Sequence, residues 1–152
     1  LLLACISLLN CSPDGDPVKE EDLRTELLAA INDMRATGCF CGDLFMPPVN
    51  ELTWNDVLQR AAYKHAFDMY FNGYFSHLSP DGTPPIGRAM QAGYQGEYVG
   101  ENIGRNYHNI KDMVQGWKES ESHCKAIMDT LYNEMGASKI GGYWVLNLGR
   151  SK

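Results

Sequence analysis

Residues 74–104 read YFSHLSPDGTPPIGRAMQAGYQGEYVGENIG, with three prolines and six glycines. No single helix or strand can run the length of such a stretch, because proline removes a backbone donor and both residues break regular elements. The fold must therefore supply a frame on either side of an irregular polar segment. Within it, Pro80-Asp81-Gly82 is a turn: Pro fixes φ, Asp bonds its own backbone, and Gly takes φ > 0. Pro84 and Pro85 permit a helix start, and residues 86–91 predict a short helix stopped by Gly93. His77 follows the aromatic pair Tyr74 and Phe75, and Gly100-Glu101-Asn102-Ile103 adds a second polar site carrying a carboxylate. Loops with placed polar residues on a rigid frame are where binding and chemistry concentrate.

The frame is legible in periodicity. Leu23, Leu27, Leu28, Ile31 and Met34 recur at helical spacing and stop at Gly38. Asp16-Pro17 offers the start of that helix, with Glu20, Glu21 and Asp22 favouring its first turn. Thr53-Trp54-Asn55-Asp56 fits a capping box in which Thr53 accepts from the amide at Asp56. The helix it opens carries Trp54, Leu58, Ala61, Ala62, His65 and Met69 on one face and ends at Asn72-Gly73. A lone His on such a stripe reads as a hydrogen-bonded core residue, and His108 as a solvated loop residue. Ile110, Met113, Val114 and Trp117 mark another core-facing helix. Ser120 is placed to cap a second short one holding Ile127, Met128 and Leu131. Residues 133–138 and 143–148 read as strands, with Tyr143, Val145 and Asn147 alternating against Trp144, Leu146 and Leu148 across a tight turn at Gly141-Gly142.

At 152 residues the chain forms one domain large enough to bury its own core. A net charge of −6 with no basic run excludes a nucleic-acid surface, which needs clustered Lys and Arg. Residues 1–11, LLLACISLLNC, are apolar but far short of the roughly 20 needed to cross a bilayer. They have the character of an export-signal core, and of a lipoprotein signal in which a cysteine is acylated. Cys11 ends the run and precedes Ser-Pro-Asp-Gly-Asp, so residues 12–19 read as a tether and Cys11 as the lipidation site. Cys5 is the competing position, and an uncleaved core strand the alternative for the segment. The expected location is the cell envelope, as a lipoprotein, or outside the cell as a secreted protein.

Cys39-Phe40-Cys41 lies just past the first helix. A C-x-C pair alone is a poor zinc signal, since a closed site wants four N or S ligands. In an oxidising envelope one of Cys39 and Cys41 is expected to pair with Cys124, and the sequence does not choose between them. Three buried free thiols are the other possibility.

Read in order, FSHxxPDG…R…AGY…GENI resembles the CAP superfamily in its bacterial form, the group that includes the cysteine-rich secretory proteins, antigen 5 and the plant pathogenesis-related proteins. The likeness continues through Trp117-x-x-Ser120-x-x-His123 and Gly142-Tyr143-Trp144, and runs from about Arg24 to Gly149. It implies an α+β domain over 20–150, a three-layer α-β-α sandwich with an antiparallel central sheet. It also implies a cleft lined by two His and two acidic residues that in some members hold a divalent cation. His77 matches the first His and Glu101 one acid. Ser120 stands at the second acidic position and Tyr143 near the second His, so both of those are missing. His123 comes from a motif that usually reads SPGH, and Glu119 is the nearby carboxylate that would compensate.

His77, Glu101 and His123 are thus the candidate ligand and metal residues, with Tyr143 at the cleft. Two imidazoles and a carboxylate suit zinc or a similar divalent cation better than calcium or magnesium. The same groups would equally form a polar cluster joining three loops. Two functions follow: a cell-envelope domain binding a small molecule, lipid or protein partner at the cleft, or a metal-assisted or acid/base hydrolase, peptidase-like. The missing acid and His, and the absence of a G-x-S-x-G elbow beside Ser76, Ser79, Ser120 or Ser122, favour binding.

Overall fold

The computed structural model describes residues 19–152, so the export segment, Cys5, Cys11 and the Asp16-Pro17 helix start lie outside the described residues. The predicted hairpin is the middle of the molecule. β5 (Glu134–Ile140) and β6 (Tyr143–Arg150) pair antiparallel across Gly141-Gly142, with Gly141 at φ 54° as the turn demands. They belong to a four-stranded sheet ordered β3-β5-β6-β4, in which β4 (Tyr98–Arg105) is an edge and pairs antiparallel with β6. The expected antiparallel sheet has one exception: β3 (Thr53–Trp54), only two residues long, runs parallel to β5.

The alternation along β6 sorts the layers. Tyr143 and Val145 pack with Ile103 of β4 against Ala62, Ala66 and Met69 of α3 (Asp56–Asn72). Trp144, Leu146 and Leu148 face the other way, onto a core made by three further helical segments. The first runs through α1 (Glu20–Asp22), a π-helical turn Leu23–Leu27 and α2 (Leu28–Thr37); the others are α5 (Ile110–Glu119) and α6 (Glu121–Ile127). The result is an α+β three-layer arrangement with the sheet between helices. Trp117 and Trp144 are both 1% exposed, and each such burial contributes about 1.5–3 kcal/mol. Their indole N–H groups are satisfied, Trp117 donating to the Ile103 carbonyl and Trp144 to that of Tyr107. The short helix α4 (Pro85–Gln91) forms where Pro85 opens it, one residue earlier than expected.

Several local expectations are corrected. Thr53 is not the cap: its N–H and its hydroxyl both donate to the Asn133 carbonyl at the β3–β5 ladder, and Asn55 is the N-cap, accepting from the Val57 and Leu58 amides. Trp54 accordingly belongs to a strand and not to the helix stripe. Glu101 and its neighbours lie in β4 and not in a loop, because the sheet edge supplies the ladder partners that local sequence cannot reveal. Ser120 occupies the N-cap position of α6, but its side chain makes no capping bond, and Leu131 falls beyond that helix. Past Gly38, β1 (Cys39–Cys41) and β2 (Leu44–Met46) form a separate hairpin. The open cysteine pairing is resolved: Cys41 bridges Cys124 with Cα atoms 5.3 Å apart, tying the hairpin to α6, while Cys39 is a buried thiol with no disulfide partner among the described residues.

Candidate functional site

The pleat of β4 aims Glu101 at the α3 side of the sheet, where its side chain is 1% exposed. A carboxylate in that position is costly unless paired. Arg88 of α4 supplies the charge, with Nη2 2.7 Å from Oε2, and His77 donates from Nδ1 to Oε1 at 2.9 Å. His65 of α3 adds Nε2 at 3.8 Å. One buried acid thus gathers three basic side chains from α3, the following loop and α4.

Arg88 is also the brace of the irregular segment. Its Nη1 donates to the carbonyls of His77 (2.9 Å) and Thr83 (2.8 Å) and to Ser79 Oγ (3.2 Å). The Pro80-Asp81-Gly82 turn forms as expected, with Asp81 Oδ1 accepting from the Thr83 amide and Gly82 at φ 84°. Sequence reading assigned Arg88 no role. The available signal was an arginine embedded in the FSHxxPDG…R run on a seven-residue helix.

His65 is the core residue its stripe predicted, but it also belongs to this cluster. Its Nε2–H donates to the Ser76 carbonyl at 2.9 Å, fixing the backbone next to His77, and Nδ1 is buried without a hydrogen-bond partner among the described residues. Burial pulls its pKa down, with Glu101 opposing and Arg88 adding to the depression, so the ring is neutral. Tyr74 is edge-on to it, its hydroxyl bonded to Asp68; burial and that acceptor push the phenol up to about 12.

Of the four candidate residues, the fold joins His77 to Glu101 directly. His77 is 51% exposed, and because a carboxylate only accepts, Nδ1 carries the proton and Nε2 keeps its lone pair. His123 approaches from the opposite face: Asn102, next along β4, donates to its backbone carbonyl at 3.0 Å. Burial lowers the His123 pKa, and a second proton on His77 would lower it further. The structure thus ties His123 to β4 through its backbone carbonyl, on the side of the sheet away from Glu101. Tyr143 is 7% exposed and packed between Tyr70 and Phe75, with the Arg105 guanidinium 4.9 Å from its ring centroid. Glu119 is exposed and bonded to Gln115 on its own helix. A cavity of about 470 Å³ borders the cluster through His65 and Arg88, and Asp68, Ser79 and Thr83 also line it.

Comparison with known proteins converges on one family. The family model described as the cysteine-rich secretory protein family, CAP, matches residues 28–146. An uncharacterized membrane protein of Bacillus subtilis, YlbC, is 32% identical over 97 residues, which is 64% of this chain and 28% of that protein. The chain thus spans under a third of that relative's length. Among solved structures, an extracellular protein of Bacillus anthracis containing an SCP domain superposes with a TM-score of 0.71 at 23% identity, covering 92% of this chain and 45% of that one. An outer surface protein of Borrelia burgdorferi gives 0.71 at 19% identity, with 90% and 97% covered. A cysteine-rich secretory protein of Staphylococcus aureus gives 0.69 at 18%, with 89% and 40% covered. At these identities the superpositions carry the fold.

Proposed function

The chain belongs to the cysteine-rich secretory protein (CAP) family, and from that premise we propose that it is an exported binding domain whose ligand meets the sheet edge at His77 and His123. One observation carries this reading. Glu101 has an oxygen committed to Arg88 and the other to His77, so it is an orienting carboxylate and not a free general base. A His held through Nδ1 by a buried acid presents Nε2 as a fixed acceptor or metal ligand, the arrangement in which an outer carboxylate orients a ligating imidazole. Two imidazoles are fewer ligands than a zinc site ordinarily takes, so a cation held here would complete its shell with water or ligand, with Glu101 behind His77 rather than on the metal.

Calorimetry with zinc at pH 7.5 tests this. The wild type is expected to bind weakly and reversibly, with binding lost in His77→Ala and in His123→Ala. Affinity unchanged in either variant removes that residue from the site, and no binding in the wild type leaves the cluster with a purely structural role. The same His77–Glu101 pair favours a second reading, a hydrolase with His77 as oriented base. Neither neighbouring hydroxyl bonds His77, however: Ser76 Oγ accepts from the Leu78 amide and Ser79 Oγ from Arg88. Turnover of a peptide substrate, abolished by His77→Ala, would move the assignment to the enzyme.

The exported location rests on the apolar run before Cys11, and the Cys41–Cys124 bridge supports an oxidising compartment. No helix among the described residues is long and apolar enough to cross a membrane. We place the anchor at Cys11 as a lipid. Mass spectrometry of membrane-extracted protein should find acyl groups there, and more than one chain, since a single chain holds only marginally. A mature terminus beyond Cys11 rejects it.

A further inference from the structure

Three sulfurs meet where the β1–β2 hairpin packs on α6. Because β1 is extended, Cys39 and Cys41 point to one face while Phe40 between them points to solvent, 62% exposed. Cys124 reaches that face from α6. Cys39 Sγ lies 3.6 Å from Cys124 Sγ, Cys124 is bridged to Cys41, and all three buried sulfurs lie within 4.8 Å of one another. The bridge uses two of them and leaves the third beside it.

We propose that, once the Cys41–Cys124 bridge is reduced, Cys39, Cys41 and Cys124 form a thiolate site for one divalent cation of the zinc class. The site is distinct from the cleft at His77. A C-x-C pair alone is too poor a donor set; the fold adds the third ligand from a helix 83 residues further along the chain than Cys41. A tetrahedral zinc with bonds of about 2.3 Å sets its sulfurs roughly 3.8 Å apart. The Cys39–Cys124 separation already meets this, and reduction frees Cys41 to rotate into place. The Phe40 carbonyl, 3.6 Å from Cys124 Sγ, stands beside the cluster as an oxygen donor. Three thiolates and a divalent cation leave one negative charge; burial pushes the Cys39 thiol up, and the Lys118 charge opposes that.

The chemistry balances with a dithiol as reductant. It gives two electrons and two protons, closing to its own disulfide, while Cys41 and Cys124 become thiols. Binding the cation then displaces the thiol protons to solvent. Disulfide and metal compete for the same sulfurs, so the site exists in the reduced chain, the state in which thiols are held before meeting an oxidising compartment.

The test uses the full chain, reduced and kept free of oxygen, titrated with cobalt(II). One equivalent should produce the thiolate charge-transfer absorption and visible bands of a tetrahedral site, and zinc should abolish them by displacement. Cys39→Ser and Cys124→Ser should lose the bands, while His77→Ala should keep them, separating this site from the cleft. Circular dichroism on the same samples follows the fold. No bands in the wild type, bands surviving Cys39→Ser, or a native spectrum lost on reduction and not regained with cobalt would each overturn the proposal.

Discussion

Arg88 and Glu101 form a buried ion pair, Nη2 to Oε2 at 2.7 Å, with the arginine 9% and the acid 1% exposed. The pair fastens α4 to the edge strand, and the other guanidinium nitrogen fastens the loop that carries His77. Removing one partner of a buried pair strands the other's charge, at a cost of about 3–5 kcal/mol. Arg88→Met should therefore destabilise by that order in urea unfolding, and a second change, Glu101→Met, should restore part of the loss. A single-variant cost within the roughly 0–1 kcal/mol of an exposed pair would show that the pair is not what holds this corner.

At Gly136 the backbone of α3 lies directly against the sheet. A Cβ there would lie against the Gln59 amide nitrogen and 2.6 Å from the Leu58 carbonyl carbon, both backbone. Gly136→Ala should cost about 1–3 kcal/mol or more, the usual scale of overpacking. Gly73, at φ 69° with open space around it, is the control. Alanine there meets only the left-handed backbone penalty of about 1–2 kcal/mol. A Gly136→Ala cost below about 1 kcal/mol, measured in guanidinium, would contradict the packing argument.

Acid should weaken the protein through His65. Its folded pKa is depressed, mainly by burial, so the unfolded chain binds the proton more readily. Stability is then full above the ordinary imidazole pKa of about 6.5 and is lost as pH falls through that value toward the folded pKa. His123 is shifted in the same direction and adds to the slope. Urea midpoints measured from pH 7.5 to 5 should fall, and His65→Gln should make the fall shallower. An identical slope in that variant would assign the acid sensitivity elsewhere.

The Cys41–Cys124 bridge closes a loop across a sequence separation of 83. The chain-entropy model values such a link at about 4 kcal/mol, often less in practice. Cys124→Ser should lose most of that, whereas Cys39→Ser, which leaves the bridge intact, should shift the thermal midpoint little. Peptide mapping without reductant checks the pairing directly, and Cys124 recovered as a free thiol would refute it.

The sequence by itself determined the elements whose information is local. Helical stripes placed α2, α3 and α5, and the alternation from Tyr143 to Leu148 placed β6 with both faces correctly sorted, because side-chain periodicity is set by each element's own geometry. The turn at Pro80-Asp81-Gly82 was legible for the same reason, as was His65 as a core residue. The family resemblance named His77 and Glu101, which the fold puts in contact.

Tertiary structure decided what depends on distant partners. Glu101 became a strand residue because β6 offered its backbone a ladder. Thr53 gave up its expected cap because β3 paired with β5, where its hydroxyl donates to the Asn133 carbonyl. Cys41 and not Cys39 reached Cys124 through the placement of a hairpin on α6. Arg88 acquired its role only when β4 brought a buried carboxylate to α4. Hydrogen bonds, charges and sulfur contacts between residues far apart in the chain have no local signature, since they exist only once the elements are packed.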